Sequence, residues 1–352
     1  MKKNKINIFI KSFLFVFIFL IFLVSVFAFT VIITEFNPDD VSNLEISIPV
    51  DVLNKEEPFS VISWNVGYAG LGDEADFFLE GGKMSKGESK ETVREHLENI
   101  LNFLEKESPD ILLLQEVDVK SSRSYYINQI NQIKNSFPNY FSSFAFNYKI
   151  LFLPIPLSDP IGSVQSGLFS LSSFKVSNAK RFSIASVENF PDRYFHLKRA
   201  VLLQNVELEN KDLSIINIHL SAFVGQGIRD EQLSFLRQLT LDERTRGNAV
   251  IVAGDWNMEL PNVPEFKTKQ EYPEFLDKFP EDWVPEGFSF VFDKEIPTVR
   301  TNEQPYVEGE NFRAIVDGFL VSDDVKVIDV KTFDLNFVDS DHNPIKIEFE
   351  IV

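Results

Sequence analysis

Polar side chains capable of chemistry interrupt the apolar runs of this chain at six places. They are Trp64-Asn65, Gln115-Glu116, Asn217-Ile-His219, Gly254-Asp-Trp-Asn257, Asp317, and Asp341-His342-Asn343 within Asp339-Ser-Asp-His-Asn-Pro344. A carboxylate, amide or imidazole in a buried run costs free energy unless it is paired or binds a metal. Six such interruptions in one chain point to a hydrophilic site built on a rigid sheet. Glu116, Asp255 and Asp341 offer hard oxygen ligands suited to Mg²⁺ or Mn²⁺, and Asn65 and Asn257 add amide groups. Two histidines without cysteine make a closed zinc site less attractive. Hydrolysis of a phosphodiester needs a nucleophilic water, neutralisation of charge on the phosphoryl oxygens, and help for the leaving oxygen. Carboxylates holding a divalent cation supply the neutralisation. An imidazole with a carboxylate partner supplies the proton transfer, and Asp317 and His342 are candidates for that pair. Taken singly, Asn65, Asp255-Trp-Asn257 and the 340–344 run also fit turns and caps; jointly with Glu116 and His219 the turn reading fails.

The elements that must position these groups are legible as alternating strand-like and helix-like segments from Phe59 onward. Apolar β-rich runs cover Phe59–Trp64, Ile111–Val117, Ala200–Val206, Leu213–Leu220, Ala249–Ala253, Ile315–Val321 and Ile345–Ile351. Between them, Val93, Leu97, Ile100, Leu101 and Leu104 share one face of a helix capped by Ser89. Ile228, Gln232, Phe235, Leu236 and Leu239 mark a second helix, and Ile127, Ile130, Ile133 and Phe137 a third. The pattern predicts a layered α/β domain. Most of the chemistry-bearing residues fall at the C-terminal ends of strands, where loops at one sheet edge converge. Gly67, Gly70 and Gly72 do not have the spacing of a phosphate-binding glycine loop and read as a flexible rim of the site.

With 352 residues and 44% apolar content the chain can bury a large core. The N-terminus is separate. Lys2, Lys3, Lys5 and Lys11 precede an uncharged stretch from Ser12 to Thr34. That stretch is about 35 Å long as a helix, enough to cross a hydrocarbon core of roughly 30 Å. Its length favours a retained signal anchor over a cleaved signal peptide, for which Val26-Phe-Ala28 is a poor cleavage site. Lysines before the span and Glu35, Asp39 and Asp40 after it place the N-terminus inside and the rest of the chain extracytoplasmic at the cell membrane. The organisation read from this is a transmembrane segment over 1–34, a Pro-containing linker over 35–57, and a domain over 58–352. Absence of cysteine excludes disulfides, thiolate catalysis and thiolate metal ligands. The net charge of −19 works against tight electrostatic capture of nucleic acid unless metal ions or a local basic patch offset it. Basic residues near the candidate site, Lys83, Lys86, Arg123, Lys198 and Arg199, are therefore candidates to touch a substrate phosphate. The Phe- and Pro-rich run 146–160 reads either as a buried strand and loop or, beside a bilayer, as an apolar lip. Nothing in the sequence marks a protein partner.

Asn65, Gln115-Glu116, Asn217-Ile-His219, Gly254-Asp-Trp-Asn257, Asp317 and Ser340-Asp-His342 occur in the order found in the endonuclease/exonuclease/phosphatase superfamily, and over about residues 59–352 the chain resembles that family. The resemblance implies the DNase I-like fold, a four-layer α/β/β/α sandwich, and a metal-dependent phosphoesterase. It implies that Glu116 is the principal metal ligand with Asn65 beside it, and Asp341 a further metal or water ligand. Asp255 resembles the residue that orients or activates the attacking water, and Asn257 the one that holds the phosphate. His342 resembles the catalytic histidine oriented by Asp317, and His219 the second histidine on the scissile phosphate. The long connection containing residues 65–72 and 81–86 is similar to that of bacterial membrane-anchored members. Nucleic acid is the first substrate class so implied. A lipid or inositol phosphate head group is the alternative, and a catalytically inactive membrane-anchored binding module the reading from another class.

Overall fold

Two twisted sheets carry the domain, because the apolar runs alternate inward and outward side chains and bury both faces. The computed structural model describes residues 2–49, 58–208, 211–222 and 225–352. One sheet contains β2 (Phe59–Asn65), β3 (Ile111–Asp118), β4 (Phe141–Leu153), β5 (Gly162–Ser172), β16 (Val325–Thr332) and β17 (Ile345–Ile351), in the order β16-β17-β2-β3-β5-β4. The other contains β1 (Val41–Asn43), β6 (Val176–Ser183), β7 (Ala200–Val206), β8 (Leu213–His219), β9 (Ala249–Asp255), β12 (Phe288–Val291) and β15 (Asp317–Ser322), in the order β1-β6-β7-β8-β9-β15-β12. Two short ribbons, β10 (Met258–Glu259) with β11 (Asp277–Lys278) and β13 (Val299–Arg300) with β14 (Arg313–Ala314), lie outside the sheets.

Val61, Leu113, Ile215, Ile251, Val321 and Ile347 fill the space between the sheets. Helix α2 (Lys90–Glu107) and helix α3 (Gln129–Ser136) cover the outer face of the six-stranded sheet, packing Val93, Leu97, Leu104 and Ile133 on Ile62, Trp64, Leu112 and Leu114. Helix α4 (Gln226–Thr245) covers the other sheet through Leu233, Leu236 and Leu239. The result is the four-layer α/β/β/α sandwich. Ser89 caps α2 by accepting the Thr92 N–H at 3.0 Å, satisfying one of the orphan donors of the first turn.

Helix α1 (Lys2–Ile33) carries the apolar segment, and Phe9–Ile33 is long and apolar enough to cross a membrane, as a span or as a signal sequence. The segment after it departs from the linker reading. Val41–Asn43 pairs with Lys180–Phe182 as the edge strand of the seven-stranded sheet, and Ser47 bridges Ser142. Residues 50–57 lie outside the described residues.

Each sheet has a parallel pair at its centre, β2 with β3 and β8 with β9. Their C-terminal ends lie at one edge of the sandwich, where the antiparallel β15 and β17 begin. Inward side chains change character along these strands in layers: Val61, Leu113, Ile215 and Ile251 are apolar, then Ser63, Gln115 and Asn217 are polar, and Asn65, His219 and Asp255 end the strands. The middle layer ties the sheets together. Gln115 donates to Asn217 Oδ1 at 2.8 Å, and Asn217 donates to Leu114 O and Ser170 Oγ, both at 3.2 Å. Gln115 and Asn217, which stood in the sequence motifs, are thus buried structural links beneath the site.

Gly254 shows how closely the parallel pair is packed. Its φ is +145°, and a Cβ there meets the Ile218 carbonyl oxygen at 2.0 Å. Gly254→Ala is expected to destabilise the protein by about 3 kcal/mol or more, since strain and overpacking add; the midpoint of urea unfolding measures it.

Candidate active site

The strand ends and the loops beyond them enclose one cavity, lined by Asn65, Tyr68, Glu116, Arg123, Arg199, His219, Asp255, Asn257, Asp341 and His342 among others. Asp255 is its centre. Its Oδ2 accepts from Asn65 Nδ2 at 3.0 Å and Asn257 Nδ2 at 3.2 Å, and faces His219 Nε2 at 3.4 Å and His342 Nε2 at 3.6 Å. Asn257, at φ +51°, also donates its backbone N–H to Asp255 Oδ1 at 2.9 Å. Two side-chain amides and two imidazoles therefore surround Oδ2, while the Asn257 backbone N–H holds Oδ1.

Behind this, His342 Nδ1 and Asp317 Oδ2 are 2.8 Å apart, with both groups buried. Asp317 does not line the cavity; it holds the ring so that Nε2 faces inward. The Trp64 indole donates to His342 O at 2.8 Å, and Thr298 Oγ1 accepts the Asp317 N–H at 3.1 Å, so both backbones are pinned. Burial lowers the pKa of His342, but Asp317 and Asp255 outweigh it and the ring is pushed up to about 10. Burial raises the Asp255 carboxyl above its ordinary range, against the pull of His342. His219 is held well below the usual histidine value, by burial first and then by Arg199 and His342. The site thus pairs a charged imidazole with a neutral one at neutral pH.

Glu116 reaches the cavity through a defect in the sheet. The register of β3 against β5 shifts between Leu114 and Val117, and Glu116 takes φ +56°. Gln115 points inward and Val117 outward, so the bulge re-aims the intervening carboxylate. Glu116 keeps 23% of its side chain exposed, and its Oε2 lies 3.3 Å from Arg123 Nη1. Asp341 presents its carboxylate to the same cavity, with Oδ2 accepting from Asn302 Nδ2 at 2.9 Å. Asn65 Oδ1 accepts the Gly67 N–H at 3.0 Å and retains a second lone pair. Glu116, Asp341 and Asn65 line the same cavity and offer hard oxygens of the kind that could hold a divalent cation. Ligand atoms of Asp255, Asp317 and His342 also lie within 4.8 Å of one another. His342 Nδ1 and Asp317 Oδ2 are committed to each other and Asp255 Oδ2 to two asparagines, which suits proton transfer better than metal ligation.

The basic candidates separate. Lys83 is exposed and does not line the cavity, and Lys86 pairs with Asp159 at 2.6 Å. Lys198 pairs with Glu188 at 2.8 Å. Arg123 is buried, bonded to Asp118 through Nε at 3.2 Å and Nη2 at 3.0 Å, and stacked 3.8 Å from the centre of the Tyr68 ring. Arg199 is buried, lines the cavity, and its Nη1 finds no hydrogen-bond partner among the described residues. Burial brings its pKa down to about 10, still charged at neutral pH. Arg199→Ala is expected to lower kcat/KM about 10- to 100-fold, the cost of one charge-assisted hydrogen bond, whereas Lys83→Ala leaves it within about twofold.

Three contributors escaped the sequence reading. Tyr68 lines the cavity with a buried hydroxyl that has no partner among the described residues. It lies in the segment read as a flexible rim, but Gly67, Tyr68 and Ala69 form a buried turn with positive φ throughout. Glu80 lines the cavity and Asn302 ties it to Asp341 from behind: Asn302 donates to Glu80 Oε1 at 3.1 Å and to Asp341 Oδ2 at 2.9 Å, and burial pushes Glu80 up to about 7. The Gly-Tyr-Ala sequence is a signal for the first; residues 301–312 carry no periodicity that marks Asn302.

The sequence profile of the Endonuclease/Exonuclease/phosphatase family matches residues 62–342, which include every residue of this cavity named above. The chain belongs to that family. Members of the family are generally hydrolases acting on phosphoester bonds. Solved structures share the fold. An endonuclease/exonuclease/phosphatase from Beutenbergia cavernae is 15% identical, with a TM-score of 0.56 over 84% of this chain and 72% of that one. The human Nocturnin catalytic domain, solved with a bound sulfate anion, is 20% identical, with a TM-score of 0.55 over 86% and 97%. TDP2 from D. rerio, solved with a single-strand DNA product, is 16% identical, with a TM-score of 0.54 over 84% and 100%. No curated protein matches the chain.

Proposed function

We propose that this family member is a divalent-metal-dependent phosphodiesterase, tethered by α1 to the cell membrane with its domain extracytoplasmic. The observation that carries the reading is Asp255, fixed by Asn65 and Asn257 and faced by two imidazoles at 3.4 and 3.6 Å. Asp255 orients the attacking water and accepts its proton. Imidazolium His342, locked by Asp317, faces the developing charge on the phosphoryl oxygens. Neutral His219 and the free Arg199 nitrogen hold the same oxygens, while Asn257, whose amide donates to Asp255 and to Leu220 O, keeps the carboxylate in place. Glu116, Asn65 and Asp341 would hold a divalent metal ion, which when bound would supply neutralisation of phosphoryl charge.

Nucleic acid is the first substrate class, by analogy with the TDP2 relative solved with a single-strand DNA product. The second reading is a lipid head group, favoured by Leu71, Phe77, Leu79, Leu153, Ile161 and Leu197 on the cavity wall. The test is hydrolysis of plasmid DNA, RNA, phospholipid vesicles and inositol phosphates, each with Mg²⁺ and with EDTA. Mg²⁺-dependent turnover of one class supports the reading and selects the branch. Absence of turnover together with absence of metal binding overturns it in favour of a binding module.

A further inference from the structure

The hairpin joining β4 to β5 ends in a group of apolar side chains that the fold leaves uncovered. Leu151, Phe152 and Ile155 are exposed, and Leu157 is 87% exposed. Among the described residues, α1 supplies a neighbour to Phe152. The Phe27 and Phe152 rings meet edge to face at 6.4 Å between centroids. Phe27 lies within Phe9–Ile33, six residues before its end, which is about 9 Å along the helix. If Phe9–Ile33 crosses a bilayer, Phe152 lies below the level at which the span emerges, and the hairpin tip must enter the apolar layer.

The junction between helix and domain fixes this geometry. Val31 is buried against the domain although Phe29 and Ile32 on either side are exposed. Glu35 accepts from Arg193 Nε at 3.0 Å and Nη2 at 2.9 Å, with Lys198 at 3.9 Å. Phe36 packs edge to face on Phe146 at 6.1 Å, and β1 joins the sheet at Val41. The tether is too short and too well fastened to let the domain swing free. A second apolar tip flanks the same junction: Phe190 is 75% exposed on the loop that carries Arg193. The single acidic residue of the hairpin tip, Asp159, is paired with Lys86 and Ser85. The chain's net charge of −19 gives no general attraction to anionic lipid, so contact must come from apolar insertion.

We propose that the β4–β5 hairpin tip, through Phe152, Ile155 and Leu157, is a second membrane-insertion point that with α1 clamps the domain against the bilayer. Leu153 and Ile161 from the same hairpin line the catalytic cavity. The clamp therefore brings the cavity to the level of the lipid head groups, where a phosphodiester at the membrane surface reaches it directly. The inference rests on the tethering part of the proposed function, but its readout involves no turnover.

The absence of cysteine makes the test direct, since one introduced thiol is the sole labelling site. The full chain is reconstituted in phosphatidylcholine vesicles as Leu157→Cys or as Ile328→Cys, each carrying an environment-sensitive fluorophore. Ile328 is an exposed apolar residue on β16, at the opposite edge of the sheet from β4, and serves as the matched control. Nitroxide lipids labelled near the head-group end of the acyl chain are expected to quench the probe at 157 at least about twofold more than that at 328, while iodide in the aqueous phase quenches it less. Equal quenching at both positions by both agents overturns the proposal, whether or not the enzyme is active. Ile155→Asp combined with the label at 157 is expected to remove the lipid quenching; retention of quenching in that variant also counts against insertion.

Discussion

His342→Gln lowers kcat by about 10²- to 10⁴-fold, the range for loss of a positioned acid–base group, with little change in KM. Glutamine keeps an amide donor for Asp317 but cannot carry the positive charge that Asp317 and Asp255 hold on the ring. Alanine is the poorer choice, because it strands Asp317 as an unpaired buried carboxylate and confounds activity with folding. The companion variant is Asp317→Asn. Its amide can donate to Nδ1, which favours the neutral ring without a proton on Nδ1 and removes the carboxylate that holds the positive charge. Asp317 does not touch the cavity, so a loss of comparable size in Asp317→Asn, and no further loss in the double variant, identifies one functional unit. Thermal unfolding of each variant is the control. Turnover within tenfold of the parent for both single variants sinks the assignment of the pair.

The sequence shows the sheet centres more clearly than the edges. Strands β2, β3, β7, β8 and β9 carry long apolar, β-branched runs because they are covered on both faces, whereas β17 alternates buried apolar residues with half-buried Lys346, Glu348 and Glu350; the ends of all six agree with the sequence pattern to within two residues. Strand β5 was missed. Its sequence, Gly-Ser-Val-Gln-Ser-Gly-Leu-Phe-Ser-Leu-Ser, has low strand propensity, yet its serines are buried in the polar layer between the sheets, where Ser170 accepts from Asn217. Strand β1 was read as part of a linker because three residues beside prolines have no period of their own; pairing with β6 makes them a strand.

The same distinction applies to the cavity. Charges at strand ends were visible, since Asp255 and His219 end apolar runs that cannot otherwise tolerate them. Gln115 and Asn217 look identical to site residues in sequence, and only the alternation of the pleat shows that they lie one layer below. The aim of Glu116 depends on a bulge, and a bulge has no residue signature when its left-handed residue is not glycine. Lys83 was a reasonable candidate by proximity in sequence, but the long loop carries it to the surface and Arg199, from a distant strand entry, occupies the cavity instead.

Glu116→Gln separates metal binding from the rest of the site. With Mg²⁺ at about a hundred times its Kd, mass action stabilises the protein by about 2.7 kcal/mol, a shift of roughly 5–10 °C in Tm for a domain of this size. The substitution preserves shape, and Arg123 keeps its bidentate bond to Asp118, so the variant is expected to fold with near-parental stability in EDTA. Removing the anionic oxygen from this partly exposed ligand should abolish the Mg²⁺-dependent shift and lower turnover by about 10³-fold or more. Asn257→Ala provides the contrast, because Asn257 bonds Asp255 and not Glu116; it is expected to lose turnover and keep the metal shift. If Glu116→Gln retains the full Mg²⁺ shift, the ion lies elsewhere, and the cluster of Asp255, Asp317 and His342 becomes the place to look.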